Sequence, residues 1–347
     1  MSLIDTSNPL VAPMTESPVA AAVAAAVAAV ATTDPKAKSK PRLFLGVTMG
    51  LLAAAIGALY SVYATYGLAR GLKSADMTFL RTSVAGLLTL PVLVYYLRVD
   101  AKVVTGQWRR WLVVALLTGP LFGELIFTAF QFAPPSHGAV FPFAAMSVVG
   151  TIFAAVFLAD PLTQRKLLGI GIVIVGLLTL SGVSSASLTG RASIGDVLFI
   201  AAGSMWAGFG VVMRKFRLDP ILATTAAGVF GLAAYVPFYL ATEGIDRLAN
   251  VSGSLLAVEV WVQGVLAGTG TIYTYARAVQ YLGAARAAVF PALVPGLAML
   301  MGWPVLGHIP AFTETIGLTL AIVGLLVTVT RGAPADSGNS TLRSERS

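Results

Sequence analysis

Ten apolar runs, each near the length of one helical membrane crossing, are joined by short polar connections. They cover residues 44–66, 78–97, 111–132, 137–158, 166–184, 195–213, 220–242, 257–280, 284–306 and 312–330. A helix needs about 20 apolar residues to cross the hydrocarbon core, whereas a barrel strand needs only about 9–11. Inside that core the backbone must satisfy its own hydrogen bonds, so runs of this length are helices. Only 11% of the residues are charged, against about 25% in a soluble domain. The expected fold class is therefore an all-α integral membrane protein of ten transmembrane helices.

The runs fall into two related sets. Ala139-Val140-Phe141-Pro142 recurs as Ala288-Val289-Phe290-Pro291, 149 positions later. Gly119 and Gly268, Gln131 and Gln280, and Pro161 and Pro310 keep the same offset. At an offset of 148, Gly169 matches Gly317, and Gly176-Leu177-Leu178 matches Gly324-Leu325-Leu326. The expected organisation is a cytoplasmic disordered tail over 1–42, a first five-helix repeat over 43–184, a second over 195–330, and a second disordered tail over 331–347. The Ala/Val run from Val19 to Ala31 is too short to cross a bilayer. No Lys or Arg precedes it, which argues against a signal peptide.

Basic residues set the expected orientation. With the N-terminus in the cytoplasm, 18 of the 23 Lys and Arg fall on the inside, and Arg70, Lys73, Arg81, Arg191 and Arg247 fall outside. Positive charge gathers on the cytoplasmic side, so both termini are expected there, in the plasma (inner) membrane of a bacterium. The net charge of +8 belongs to these loops and does not imply nucleic acid. Five crossings per half is an odd number, so the halves are inverted relative to each other. Inverted repeats with a substrate site between them are a recurrent transporter architecture.

Several segments resemble a known family. They are Phe79-Leu80-Arg81 with Ala85, and Trp206-Ala207 with Arg214-Lys215. Leu282-Gly283-Ala284-Ala285-Arg286 leading into Pro295-Gly296-Leu297-Ala298 is a third. The glycine-rich stretches from Gly169 to Gly182 and from Gly317 to Leu326 complete the set. Together they are similar to the EamA-type, ten-helix members of the drug/metabolite transporter (DMT) superfamily. The resemblance implies a secondary transporter that exports a small metabolite or drug. It also implies a Glu after the fourth and ninth helices and a Trp in the first. Here those places hold Asp160, the carboxylate-free Gly307-His308-Ile309-Pro310, and the region of Tyr60.

Glu124 is the first candidate for chemistry. It lies about 13 residues into its span, near 20 Å from the inner end at about 1.5 Å per residue. A carboxylate at that depth costs about 2.5 kcal/mol or more unless it faces a cavity or a partner. It is expected to line the pathway, with a structural hydrogen bond to a neighbouring helix as the alternative. Tyr273 is its repeat partner. Gln131 and Gln280 are path-facing amides or interhelical hydrogen bonders. Tyr60, Tyr63 and Tyr66 share roughly one face, and with Trp206, Tyr273 and Tyr275 they wall a pocket or form an interfacial belt. Arg277 and Arg286 are expected to snorkel toward the cytoplasmic headgroups, with an anion site there as the alternative, and Arg277 is a candidate for the substrate or ion pathway. Arg81 is expected to pair with Asp76 or face an outward cavity, and His137 to lie at the interface. Pro142 and Pro291 each remove a helical hydrogen bond and kink the chain, which makes them candidate gating hinges.

The absence of Cys excludes thiol nucleophiles, thiolate metal sites and disulfides. Two His and no clustered acids argue against an enzyme, and no metal or organic cofactor is expected. The expected function is a secondary transporter working by alternating access. The alternatives are a polytopic membrane enzyme, a channel or a structural membrane subunit. Expected partners are the lipid bilayer, a small-molecule substrate, a coupling proton or an exchanged substrate, and a second copy in a homodimer.

Overall fold

The computed structural model describes residues 40–159, 162–180, 190–282, 287, 290–307 and 312–329. The two tails, Asp160, Arg286 and His308 to Pro310 lie outside the described residues. In chain order the helices are α1 (Lys40–Leu68), α2 (Ser74–Val99), α3 (Ala101–Thr105), α4 (Trp108–Thr118), α5 (Pro120–Phe132), α6 (Pro135–Leu158), α7 (Gln164–Leu180) and α8 (Arg191–Phe216). The second half continues with α9 (Pro220–Phe230), α10 (Val236–Thr242), α11 (Asp246–Asn250), α12 (Gly253–Glu259), α13 (Thr271–Leu282), α14 (Val294–Leu306) and α15 (Phe312–Val329). No strand occurs among the described residues.

Seven helical segments are long and apolar enough to cross a membrane: Arg42–Leu68, Ser74–Val99, Trp108–Phe132, Val140–Leu158, Arg191–Phe216, Pro220–Thr242 and Gly253–Leu282. The apolar helices α7, α14 and α15 are shorter. Seven of the ten expected crossings thus reach membrane length among the described residues. Large apolar side chains such as Phe44, Tyr95, Val197 and Phe312 are exposed. Apolar exposure on this scale suits lipid rather than water.

Three of the long segments are not regular α-helix. Pro120 lacks an N–H and disfavours the helical region for the residue before it. Gly119 accordingly leaves the helical region (φ −89°, ψ −141°) and divides α4 from α5. In the second half, π-helix over Gly231–Tyr235 joins α9 to α10, and π-helix over Val260–Gly270 joins α12 to α13. At the offset of 149, the second π stretch falls on residues 111–121, which contain the Gly119 break. Both repeats therefore loosen the same helix at the same level.

The internal packing repeats as well. A methyl group on Gly176 of α7 would lie 2.5 Å from Ala321 N and 2.8 Å from Gly317 O. One on Gly324 of α15 would lie 2.5 Å from Val173 N and 2.8 Å from Gly169 O. All three residue pairs, Gly169/Gly317, Val173/Ala321 and Gly176/Gly324, are related by the offset of 148. The α7–α15 contact is thus self-complementary, as a two-fold relation between the halves requires. Elsewhere, Gly46 of α1 packs on Leu282 and Gly195 of α8 packs on Ala133, again equivalent pairs at an offset of 149. Small residues at such points let helix backbones approach closely without a hydrophobic driving force.

Candidate functional site

A cavity opens between the halves, with about 560 Å³ of empty space counted to its mouth. That lies in the range of small-molecule sites, about 300–1,000 Å³. Ala53, Ala54, Gly57 and Tyr60 reach it from one face of α1, with Arg81 from α2 and Phe122 from α5. Pro142, Phe143 and Met146 come from α6, and Gly203 and Trp206 from α8. Thr271 and Tyr275 of α13, Phe290 and Pro291 of a 3-10 turn, and Val294 of α14 close it. Four pairs of lining residues are repeat equivalents at an offset of 149: Ala54 and Gly203, Gly57 and Trp206, Phe122 and Thr271, Pro142 and Pro291. The local two-fold relation therefore runs through the cavity.

The wall is aromatic with one cation. Trp206 packs on Phe122, Phe209 and Tyr275, with ring centroids 5.3, 5.5 and 6.3 Å away. The Arg81 guanidinium lies 5.4 Å from the Phe122 ring centroid and 5.9 Å from that of Tyr60. Arg81 is only 3% exposed. A cation–π contact contributes about 0.5–2 kcal/mol.

Of the expected pathway residues, Trp206, Pro142 and Pro291 border this cavity, and Tyr60 and Tyr275 join them. Glu124 does not. A helix turns about 100° per residue, so two residues beyond Phe122 the side chain points to the opposite flank. There the Glu124 carboxylate accepts a short hydrogen bond from the Tyr235 hydroxyl, which also lies 3.3 Å from Ala75 O. The same rotation separates Tyr273 from Tyr275. Tyr273 instead receives a hydrogen bond from Arg277 Nε (3.2 Å), and Arg277 Nη1 bonds Gln280 Oε1 at 2.7 Å. Tyr63 meets Tyr66 edge to face at 5.7 Å, off the cavity. Gln131 is exposed, and the structure does not bring it to Gln280.

Of the two expected placements for Arg81, the structure shows it facing a cavity. Asp76, fully buried, does not pair with Arg81. It accepts hydrogen bonds from Lys73 N (2.8 Å), Tyr239 Oη (2.6 Å) and Arg247 Nη1 (2.9 Å). Arg247 also bonds Glu243 at 2.8 Å, and Lys73 reaches Glu243 at 3.4 Å. Arg247 first, then Lys73, holds the Glu243 carboxyl below its usual range through these hydrogen bonds. His137, three residues before the apolar span Val140–Leu158, is buried, and its Nδ1 sits 2.8 Å from Asp196 on α8. Pro142 lies inside α6 as expected, whereas Pro291 stands in the 3-10 turn Phe290–Leu293 that leads directly into α14.

Two buried polar residues carry no distinctive signal in the sequence. Glu259 and Gln263, one turn apart at the α12–π junction, are both fully buried. Gln263 Nε2 bonds Glu259 Oε2 (3.1 Å) and Tyr60 O (3.2 Å). Glu259 Oε1 and Gln263 Oε1 have no hydrogen-bond partner. Glu259 lies near the start of an apolar run and packs beside Gly67, where a Cβ would come 2.8 Å from its Oε1. No group of metal-binding side chains occurs among the described residues.

Known proteins share this pattern. The chain is 26% identical over 209 residues to the uncharacterized transporter YyaM of Bacillus subtilis, covering 59% of this chain and 68% of that protein. It is 24% identical over 300 residues to an uncharacterized transporter of Archaeoglobus fulgidus, covering 84% of this chain and 98% of its relative. A crystal structure matches over 84% of this chain and 96% of its own, with a TM-score of 0.56 and 18% identity, which supports the fold alone. The model of the EamA-like transporter family matches twice, over residues 44–182 and 193–330. A membrane transporter built from two such repeats, the chain belongs to the EamA-like transporter family.

Proposed function

We propose that the chain is a ten-helix secondary transporter that exports a small metabolite or drug by alternating access around the central cavity. The observation that carries this reading is the set of four repeat-equivalent residue pairs on one cavity wall. A site on the relation between two inverted halves can be exposed to either side by rocking one half against the other. The termini lie in the cytoplasm of a bacterium, with the drive coming from a coupled proton or an exchanged substrate. Pro142 and Pro291 serve as hinges at the cavity's edge. Glu124, Tyr273, Gln131, Gln280, Tyr63 and Arg277 act beside the cavity, on the helices that must move.

The test is transport by the purified chain in proteoliposomes, screened with and without an imposed pH gradient. Ala54→Phe, which fills the cavity, should abolish transport of any substrate found, and Trp206→Ala should weaken its binding. Retained transport in a folded Ala54→Phe protein refutes the assigned path. Single cysteines at Ser187 and Val103 should label from outside and inside, and reversed labelling overturns the orientation.

A further inference from the structure

Among the described residues the cavity lining is apolar and aromatic except at Arg81 and Thr271. A guanidinium stays protonated at neutral pH, so this charge needs an anion. The structure offers none. Among the described residues no carboxylate forms an ion pair with Arg81. The acids on neighbouring elements are all turned elsewhere: Asp76 to Arg247 and Tyr239, Glu124 to Tyr235, and Glu259 to Gln263. The Arg81 guanidinium lies over the rings of Tyr60 and Phe122. A second group on the wall is also unmet: the Thr271 hydroxyl is enclosed and has no hydrogen-bond partner. Thr271 is the repeat equivalent of Phe122, over which Arg81 sits.

We propose that Arg81 is the anion anchor of the central cavity, and that its ligand is a small organic monoanion: a carboxylate on a flat apolar or aromatic body. This deepens the transporter reading and rests on it. The planar guanidinium fork matches a carboxylate with two parallel hydrogen bonds. The rings of Phe122, Trp206 and Tyr275 receive the apolar body, and the Thr271 hydroxyl supplies one further donor. Among the described residues no other Lys, Arg or His lines the cavity, so the proposed match is to a single negative charge.

Three probes with one body and three charges test this. Phenylacetate, phenylacetamide and phenethylamine are titrated by calorimetry into the purified full chain in detergent. Phenylacetate should bind about tenfold tighter than the amide, the scale of one charge-assisted hydrogen bond, and the amine should bind weakest. Arg81→Gln should remove the preference and Arg81→Lys should keep part of it. Equal binding of acid and amide, no binding of any probe at millimolar concentration, or an unchanged preference in Arg81→Gln overturns the proposal. If Arg81→Gln does not fold, the wild-type ratio and Arg81→Lys decide. Transport of all three probes at equal rates would sink the anion anchor and leave the transporter reading standing. A tenfold acid preference without any movement in proteoliposomes would do the reverse.

Discussion

Rotation about the helix axis decides which side chains can act. Phe122 and Glu124 are two residues apart, as are Tyr273 and Tyr275, and in each pair only one faces the cavity. Burial favoured Glu124 as the pathway acid, yet the Tyr235 hydroxyl offers that carboxylate a hydrogen bond across to the second half. A bond to a charged group contributes about 1.5–3 kcal/mol. Tyr235→Phe should therefore lower stability by about that amount in denaturant unfolding of the purified chain. Glu124→Gln, which keeps an acceptor, should cost less. An unmoved midpoint in Tyr235→Phe would show that the contact contributes nothing. Arg81 was readable as a basic residue inside an apolar run. That it stands alone was not, because Asp76, five residues away in sequence, is claimed by Arg247 from 171 positions downstream.

Pairs of helices carry the repeat into three dimensions. The α7–α15 contact predicts matched effects for Gly176→Leu and Gly324→Leu, since each side chain would press on equivalent backbone atoms. Overpacking of this kind costs about 1–3 kcal/mol. Gly171→Leu, at a position with nothing within 4 Å, is the tolerated control. Unequal effects at the two glycines, read by thermal unfolding, would break the two-fold account. At the other end of the bundle, Glu243 ties the starts of α2 and α11 through Lys73 and Arg247. Its carboxyl titrates below the usual 4.5 because of those bonds. A depressed pKa gives stability that is present above the usual value and is lost as pH falls through the lowered one. Acid should loosen this end first, seen as rising reactivity of a cysteine placed at Ala69. Glu243→Gln should remove that acid step; if the step persists, another group controls it.

At the scale of the molecule the halves are alike but not identical. Pro142 sits within a helix while Pro291 sits in a 3-10 turn. Gly57 faces the cavity opposite its bulky equivalent Trp206, and Arg81 has only Phe230 as its counterpart at the 149 offset. A symmetric frame thus encloses an asymmetric site. Pro142→Ala and Pro291→Ala should shift the resting state toward opposite faces, measured by cysteine accessibility from each side of proteoliposomes. A shift of both variants toward the same face would rule out paired gates.

The membrane class, the helical content and the duplication were legible in the sequence alone. Each follows from periodic or additive features: run length against bilayer thickness and matching residues at a fixed offset. The sequence also marked Trp206, Pro142 and Pro291, whose size or backbone chemistry is distinctive wherever they point. Only the tertiary structure decided which flank each helix presents, where Asp76 and Glu124 find partners, and that Glu259 is enclosed. Those outcomes depend on helix rotation, and a few tens of degrees change a side chain's neighbours without changing its place in an apolar run.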